Sequence, residues 1–529
     1  MLKKKETNAF LKGTISLSLA AIITKLLGVM YKVPLSYILG DEGMGYFNTA
    51  YAVYGFFYIL CTAGVPKAVS LILGEYEEDE ASCTYILKKS TAIFLKVGII
   101  ACITMILLAP ALVHIIGSKK SLYTVIAIAP SIIFVSISGV LRGYLNTEGN
   151  LVALALSQFF EAMIKLVSGL VLAWLGYNLR LQLSMIAALA VFGITLASIA
   201  SCVYLYIRAF IPKRADIAKQ SASISDKTLR SRIGKIALPI AISSSVLNLS
   251  SMIDLAFIMQ RLTDIGYSEG TANALYGNYT TLAVPMMNLV MALVTPIALA
   301  YFPKLSSYAY RGENREYSDC FKTLLHIVSL ISVPSFCVFL FYGFDVLDIL
   351  FASYSSAVGA EMLSALSLGI YLLSALTVVN TGLEARGKIA ITVVSLFIGS
   401  VVKSVVTYVL IGNSAFGMLG APIGTVASYL VSLTISITAF YHYCGKVNLC
   451  RFILLEPIVG FVSFYIPYKF VYTEGVFKNT FFSLFASVAI SSFIYILLEF
   501  FMHLRSLKRF NIKYAQKSAI DIGKLDENN

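Results

Sequence analysis

The chain has 529 residues, of which 58% are hydrophobic and 13% are charged. Soluble domains carry about 25% charged residues, so this composition excludes an ordinary water-soluble protein and predicts an integral membrane protein. The formal net charge of +13 would suit either nucleic acid or the inner face of a membrane.

Fourteen apolar stretches follow one another along the chain, and each can supply the ~20 helical residues that cross a hydrocarbon layer ~30 Å thick. The first seven are predicted at about residues 11–39, 46–73, 86–116, 122–145, 151–176, 183–210 and 233–262. The next seven are predicted at about 276–302, 318–343, 359–383, 389–411, 417–443, 452–472 and 477–502. Strands of an outer-membrane barrel are only ~10 residues long, so these stretches predict an all-α membrane protein.

The basic residues indicate how the chain is oriented. Of the 41 Lys and Arg residues, 29 fall in the segments on one side, six fall in the opposite loops and six fall within crossings. The side rich in positive charge is the cytoplasmic one, so both termini are predicted to lie in the cytoplasm. The protein itself is predicted to lie in the cytoplasmic membrane. The net charge is then a topology signal, and we predict no nucleic-acid partner.

The start of the chain is basic, with Lys3, Lys4 and Lys5. This could be read as the first region of a signal peptide, but the apolar helix that follows is too long and lacks a cleavage site. We therefore expect it to remain attached as the first crossing.

An internal repeat connects the fifth and eleventh crossings. Glycine, serine and lysine recur with equal spacing in the two, as Gly149, Ser157 and Lys165 and as Gly387, Ser395 and Lys403. Three shared positions can arise by chance, but equal helix counts favour two pseudo-symmetric six-helix lobes followed by two C-terminal helices, a recurrent plan in transporters. The predicted parts are an N-lobe (1–210), a cytoplasmic linker (211–232), a C-lobe (233–443), the last two helices (444–502) and a cytoplasmic tail (503–529).

Six lysines lie within predicted crossings, namely Lys25, Lys32, Lys67, Lys96, Lys165 and Lys403. A charge at mid-membrane costs ~3 kcal/mol, so these side chains are expected to face water, a partner or an anion. Lys32, Lys67 and Lys96 could instead extend to the membrane surface from positions near helix ends. Lys25 is too central for that alternative.

Two acidic residues accompany these lysines. Glu161 precedes Lys165 by four residues on a polar stripe that also holds Gln158, which is the favourable order for an ion pair. Such a pair could be purely structural. Asp254 in the seventh crossing is a candidate cation or proton site and, equally, a partner for one of the lysines.

The sequence offers no arrangement typical of an enzyme. No nucleophile stands at motif spacing from a base, no phosphate-binding loop lies in an inner segment, and none of the eight cysteines forms a C-x-x-C pair. We predict that the protein is not an enzyme and has no cofactor, metal site or disulfide framework.

Three segments resemble the polysaccharide-exporter branch of the multidrug/oligosaccharidyl-lipid/polysaccharide (MOP) flippase superfamily. They are Tyr31–Gly45, Ala63–Ser70 and Arg142–Gly149, the last followed by Ser157, Gln158 and Glu161. Within that branch, the chain resembles the stage V sporulation protein B group and its lipid II flippase relatives.

The resemblance implies a V-shaped pair of helical lobes around a cationic cavity that opens alternately to the two sides. It implies a lipid-linked saccharide as cargo, such as an undecaprenyl-diphosphate precursor of peptidoglycan or another wall polymer. In the lipid II flippases, the first two helices supply basic residues to the cavity, and Lys25, Lys32 and Lys67 stand at or near those places. The eighth helix departs from those flippases, because Tyr276–Thr281 contains no arginine.

The leading hypothesis is therefore a flippase of lipid-linked saccharides with Lys25, Lys32, Lys67, Lys165, Lys403 and Gln158 lining its cavity. Its partners would be that substrate, membrane lipids and either a coupling cation (Na⁺ or H⁺) at Asp254 or Glu161 or the membrane potential. One alternative is a cation-coupled multidrug exporter, which should have an acidic cavity. The other is a non-transporting membrane scaffold for wall synthesis, which should tolerate loss of the lysines.

Overall fold

The computed structural model describes residues 2–76, 79–210, 225–351, 356–445, 449, 451–473 and 481–501. For residues 2–22 and several others, Lys25 among them, the backbone alone is described. Every regular element in these ranges is a helix, and twelve stretches are long and apolar enough to cross a membrane. The chain is thus a multi-pass membrane protein of the predicted all-α class. The predicted tail (503–529) and most of the predicted linker (211–224) lie outside the described residues.

The helices divide at the gap that follows residue 210. Before it lie α1 (Leu2–Thr62), α2 (Val65–Gly74), α3 (Glu80–Ile116), α4 (Leu122–Ile128), α5 (Ser131–Thr147), α6 (Leu151–Asn178) and α7 (Leu183–Phe210). After it lie α8 (Asp226–Asp264), α9 (Glu269–Asn278), α10 (Val284–Arg311), α11 (Asn314–Phe341), α12 (Gly343–Phe351), α13 (Ser356–Ala385), α14 (Ile389–Ile411), α15 (Gly420–Tyr443), α16 (Glu456–Pro467) and α17 (Phe481–Phe501).

Polar side chains fix several helix starts. Asp79, Asn150, Ser225 and Ser268 each accept a hydrogen bond from a backbone N–H three residues further on, at 3.1–3.3 Å. The first N–H groups of a helix have no partner within it, so these caps stabilise the starts of α3, α6, α8 and α9.

The helix α1 doubles back on itself at Gly40. In a straight helix Lys32 and Asn48 would be separated by ~24 Å, yet the Lys32 Nζ lies 3.4 Å from the Asn48 Oδ1. Gly40 has a φ of 69° and a ψ of 177°, a conformation that glycine adopts readily and other residues avoid. The reversal lies at the predicted break between the first two crossings, and the two arms of α1 pack side by side.

The predicted fourteen crossings and the twelve candidate spans differ at two places. The stretch Leu26–Gly74 is a single one of the twelve, although it contains the reversal at Gly40. The 39-residue helix α8 is not among them. The number fourteen and the symmetry of the two lobes therefore stay predictions.

Residues that recur in the two repeat segments make similar contacts. The Ser201 hydroxyl on α7 donates to the Ser157 carbonyl oxygen on α6 at 3.4 Å, and the Ser432 hydroxyl on α15 donates to the Ser395 carbonyl oxygen on α14 at 2.9 Å. Both α6 with α7 and α14 with α15 form extensively packed pairs. In the described part of the chain, each repeated serine thus joins its own helix to the next one.

Helix α8 connects the two sets of helices. It packs on α1, α2 and α3 and also on α14. Helices α16 and α17 lie at the other side of the second set, where α16 packs on α11 and the Ser487 hydroxyl of α17 hydrogen-bonds the Tyr342 hydroxyl at 2.6 Å. The space between α1, α6, α8 and α10 is left for a cavity.

Candidate functional site

Two connected chambers lie between the two sets of helices. The first, of about 350 Å³, is lined by Lys32, Asn48 and Asn288 together with apolar and aromatic side chains. The second, of about 470 Å³, is lined by Arg142, Gln158, Glu161 and Asn248 among others. Thr24, Tyr51 and Lys165 line both chambers, so the two form one cavity. It runs from the Gly40 end of the bundle toward the opposite end.

Lys32 joins the two sides of the cavity. Its ammonium donates to the Thr280 carbonyl oxygen at 2.9 Å and to the Asn48 Oδ1 at 3.4 Å. The Asn48 amide in turn donates to the Thr281 hydroxyl at 2.8 Å. These acceptors are neutral, so they hold the ammonium in place without cancelling its charge.

The backbone explains why the Thr280 carbonyl is free to accept this bond. Residues Tyr279–Ala283 form a π-helical turn, in which the Val284 N–H bonds to the Tyr279 carbonyl oxygen. The next N–H in that pattern would serve Thr280, but residue 285 is proline and has none. The sequence motifs did not indicate this acceptor, although Pro285 is the residue that could have revealed it.

Lys165 is the second lysine of the cavity. Its ammonium lies 5.8 Å from the centre of the Tyr31 ring, within the range of a cation–π contact. Among the described residues no carboxylate lies within ion-pair distance of it. It therefore adds an uncompensated positive charge next to that of Lys32.

The ion pair expected between Glu161 and Lys165 is not formed, so that prediction is wrong. The Glu161 carboxylate instead accepts a hydrogen bond of 2.7 Å from the Arg142 guanidinium on α5. Arg142 also donates to the Ser201 hydroxyl at 3.4 Å. Glu161 and Gln158 both line the second chamber, so the cavity contains the predicted polar stripe of α6, with its acid already neutralised.

Asp254 and Lys403 form a pair outside the lining of both chambers. The Lys403 ammonium lies 2.9 Å from the carboxylate, and the Ser404 hydroxyl donates to the same carboxylate at 2.5 Å. The Asp254 residue is 3% exposed. Of the two roles considered for Asp254, the structure shows that of a lysine partner, so any diffusible cation would have to displace a tethered ammonium.

The other candidate lysines lie elsewhere. Lys67 is exposed on α2 and lines neither chamber, and Lys96 is exposed on α3. The side chain of Lys25 lies outside the described residues, although its neighbour Thr24 lines both chambers.

At the Gly40 end of the cavity, the backbone of α1 packs directly on the backbone of α9 and closes this end. A Cβ added at Gly45 would lie 2.1 Å from the Asn273 carbonyl oxygen, and one added at Gly277 would lie 2.3 Å from the Asp41 carbonyl oxygen. The Ser118 hydroxyl also donates to the Asn273 side chain at 2.8 Å. We call this contact of α1 and α9 the glycine seam.

Ion pairs hold the opposite end. Arg232 on α8 binds Glu75 at 2.6 Å, and Lys89 on α3 binds Asp226 at 3.1 Å. The hydrogen bond from Arg232 lowers the pKa of Glu75. Hydrogen bonds from Tyr85 and then Lys89 lower the pKa of Asp226. Both carboxylates are therefore charged at neutral pH, and both pairs persist there.

Residues 10–309 match the family described as polysaccharide biosynthesis protein, which is more than half of the chain. The chain belongs to this polysaccharide biosynthesis protein family. The family predicted from the sequence motifs is thereby confirmed.

Relatives of this chain are found in Bacillus subtilis (strain 168). The chain is 24% identical to stage V sporulation protein B over 430 residues, which cover 80% of this chain and 82% of that protein. It is 24% identical to the lipid II flippase MurJ over 490 residues, covering 86% and 88%. Both alignments extend over most of the family member and of its relative.

Two solved structures share its fold. One is the lipid II flippase MurJ in an inward closed conformation, with 14% identity and a TM-score of 0.70, covering 93% of this chain and 100% of that one. The other is an inward-facing multidrug resistance MATE family transporter of the MOP superfamily, with 14% identity and a TM-score of 0.62, covering 82% and 98%. This family member therefore has the fold of the MOP superfamily.

The glycine seam leads to a first prediction for this family member. Gly45→Ala is expected to separate α1 from α9, because the added Cβ would overlap the Asn273 carbonyl oxygen. A cysteine placed at Ser118 should then react about tenfold faster with a membrane-impermeant maleimide than it does without the Gly45 change. Gly74→Ala is the matched control, since nothing lies within 4 Å of a Cβ there. Equal labelling in all three proteins would show that the seam does not close this end.

Proposed function

We propose that this protein is a flippase that moves a lipid-linked saccharide of the undecaprenyl-diphosphate type across the cytoplasmic membrane by alternating access. The observation that carries the proposal is the pair Lys32 and Lys165, which line one cavity without a described carboxylate to neutralise them. A diphosphate brings about two negative charges, which such a site attracts strongly at low dielectric. The name of the lipid II flippase relative supports the same class of cargo.

The charges of the cavity also separate this proposal from multidrug export. A carrier of organic cations needs an acidic cavity. In the described lining of both chambers the carboxylate is that of Glu161, and Arg142 already neutralises it. The cavity therefore favours an anionic cargo, although the MATE-type transporter shares the fold.

We also propose fourteen crossings with both termini in the cytoplasm. The reversal at Gly40 divides Leu26–Gly74 into two crossings, and the length of α8 suffices for another. In this topology the glycine seam faces outward, and the pairs Glu75–Arg232 and Lys89–Asp226 face the cytoplasm. The N-lobe (1–210), the linker (211–232), the C-lobe (233–443), the helix pair (444–502) and the tail (503–529) keep their predicted roles.

The different contacts that close the two ends of the cavity support alternating access. Backbone packing closes the outer end, whereas hydrogen-bonded ion pairs join the inner ends of α2, α3 and α8. Cargo that takes the Lys32 ammonium from the Thr280 carbonyl oxygen would break a direct bond between the two sides of the cavity. Binding is thereby linked to separation of the lobes.

The membrane potential is the driving force that the charges favour. Glu161 is paired with Arg142 and Asp254 with Lys403, so both candidate cation sites already hold a tethered positive group. One elementary charge moved through 100 mV is worth ~2.3 kcal/mol, and an inside-negative potential drives an anionic headgroup outward.

The experiment uses the full-length protein in vesicles that contain a fluorescent undecaprenyl-diphosphate saccharide. The measured quantity is the rate at which the label moves between leaflets under a potassium-diffusion potential of either sign, with sodium or choline outside. We expect movement that follows the sign of the potential and does not require sodium. No movement, or equal movement of a phosphate-free glycolipid, would exclude the proposed function, and a strict need for sodium would exclude the proposed driving force.

A further inference from the structure

A second group of ionisable side chains lies far along the chain from the cavity residues. The group consists of Glu456 at the start of α16, Glu499 near the end of α17 and His326 on α11. One carboxylate oxygen of each glutamate and one imidazole nitrogen of the histidine lie within 4.8 Å of one another. All three lie inside candidate membrane spans. Ionisable residues in such a position are expensive to keep, and they mark functional sites by default.

The two carboxylates are buried and poorly satisfied. Glu456 is 0% exposed and Glu499 is 1% exposed. None of their four oxygens accepts a hydrogen bond of normal geometry among the described residues, although Ser329 on α11 lies against Glu456. A charged carboxylate in that situation would cost several kcal/mol, and such groups become neutral instead.

Among the described residues, the positive groups near the cluster are too few and too distant to neutralise it. The Glu499 carboxylate lies 3.8 Å from the Arg451 guanidinium and 3.8 Å from the His326 Nδ1. The phenols of Tyr371 on α13 and Tyr495 on α17 and the thiol of Cys337 also face the cluster, and all are neutral at ordinary pH. Two carboxylates and one guanidinium leave one negative charge in excess, which one proton on the cluster would cancel.

We propose that this cluster binds one exchangeable proton, shared by Glu456 and Glu499. A single proton brings the cluster to zero charge and converts one buried carboxylate into a hydrogen-bond donor for the other. A divalent cation would leave one positive charge in excess beside Arg451, and sodium would need several further oxygen ligands. Of the three side chains, that of His326 is the most exposed, at 24%, so we place proton exchange there.

The proton would control how the last two helices pack. Glu456 and Glu499 belong to α16 and α17, whereas His326 and Tyr371 belong to α11 and α13 of the preceding set. Loss of the proton would place uncompensated charge between these layers, and the helix pair would loosen. This site is independent of the proposed cargo, because it shares no residue with either chamber.

Infrared spectroscopy on the purified full-length protein tests the site directly. We expect the carbonyl stretch of a protonated carboxylic acid at neutral pH, shifted in D₂O and lost in both Glu456→Gln and Glu499→Gln. Glu313→Gln, at a carboxylate outside the cluster with 37% of its side chain exposed, is the control and should keep the band. A wild-type spectrum without such a band at neutral pH would overturn the proposal, whether or not the variants fold.

Thermal unfolding against pH gives the second measurement. A proton held in the folded state stabilises it less as the pH rises, so the wild-type Tm should fall by about 5 °C or more between pH ~5 and the pH at which the pair ionises. The Glu456→Gln variant should lack this fall. A Tm that instead rises with sodium, zinc or manganese at constant pH, and loses that response with Glu456→Gln, would assign the site to a metal ion and overturn the proposal.

Discussion

Replacing both Lys32 and Lys165 with glutamine is expected to lower the flipping rate of an undecaprenyl-diphosphate saccharide by about 100-fold or more. A hydrogen bond to a charged group contributes about 1.5–3 kcal/mol, and each 1.4 kcal/mol is a tenfold change in binding. Glutamine keeps a polar side chain of similar length in a wet cavity, so the protein should still fold. The initial rate in vesicles measures the effect.

The matched control is Lys96→Gln combined with Lys119→Gln. Both lysines are exposed and line neither chamber, yet the net charge falls by the same two units. We expect the control to flip within about twofold of wild type. A wild-type flipping rate in the Lys32 and Lys165 variant would rule out the cationic cavity. An equal loss of rate in the control would show that the loss is a general effect of net charge.

The helices themselves could be predicted because their cause is local. A hydrocarbon layer demands long apolar helices, and the sequence shows them by length alone. The break at Gly40 was also visible, since the run of small and acidic residues there interrupts two apolar stretches. These features depend on neighbours in sequence, so the structure agrees with them.

The partner of Glu161 could not be predicted in the same way. Spacing on a helix reveals only the neighbours on that helix, and it pointed to Lys165. Arg142 lies 19 residues earlier on α5, and its planar guanidinium can bond Glu161 and Ser201 together. Tertiary packing therefore decided which of two basic residues was neutralised, and Lys165 was left facing the cavity.

The internal repeat shows how equal positions acquire different electrostatic roles. Lys165 and Lys403 occupy matching places in the repeated segments, yet Lys165 contacts an aromatic ring and Lys403 pairs with Asp254. The difference arises on neighbouring helices, where α8 brings an acid to one lysine and α1 brings Lys32 to the other. Repetition of sequence predicts the position of a charge, but its partner decides whether that charge is available to a ligand.

Removing one partner of the Asp254 and Lys403 pair is expected to destabilise the protein strongly. Asp254→Asn leaves the Lys403 ammonium without its counter-charge, and the loss of one partner from a buried pair costs about 3–5 kcal/mol. Combining it with Lys403→Gln should recover most of this loss, because both remaining side chains are neutral. Thermal unfolding of the purified single and double variants measures the coupling. The exposed pair Arg311 and Glu313, at 3.9 Å, serves as the control and should show almost none.

The single variant Lys403→Gln tests whether the Lys403 ammonium occupies a position beside Asp254 that a diffusible cation could otherwise take. Without the ammonium, Asp254 becomes a buried carboxylate that retains the Ser404 hydroxyl as a ligand, so sodium should raise the Tm of this variant relative to choline. Wild type should show no such difference, because its own ammonium holds that position at 2.9 Å. Sodium stabilisation of wild type that Asp254→Asn abolishes would mean that the pair opens to admit a cation, and the membrane potential would then lose its place as the driving force. A sodium effect confined to Lys403→Gln would instead show that the lysine of the wild-type protein is a fixed substitute for a diffusible ion. The membrane potential would then act on the charge of the cargo itself.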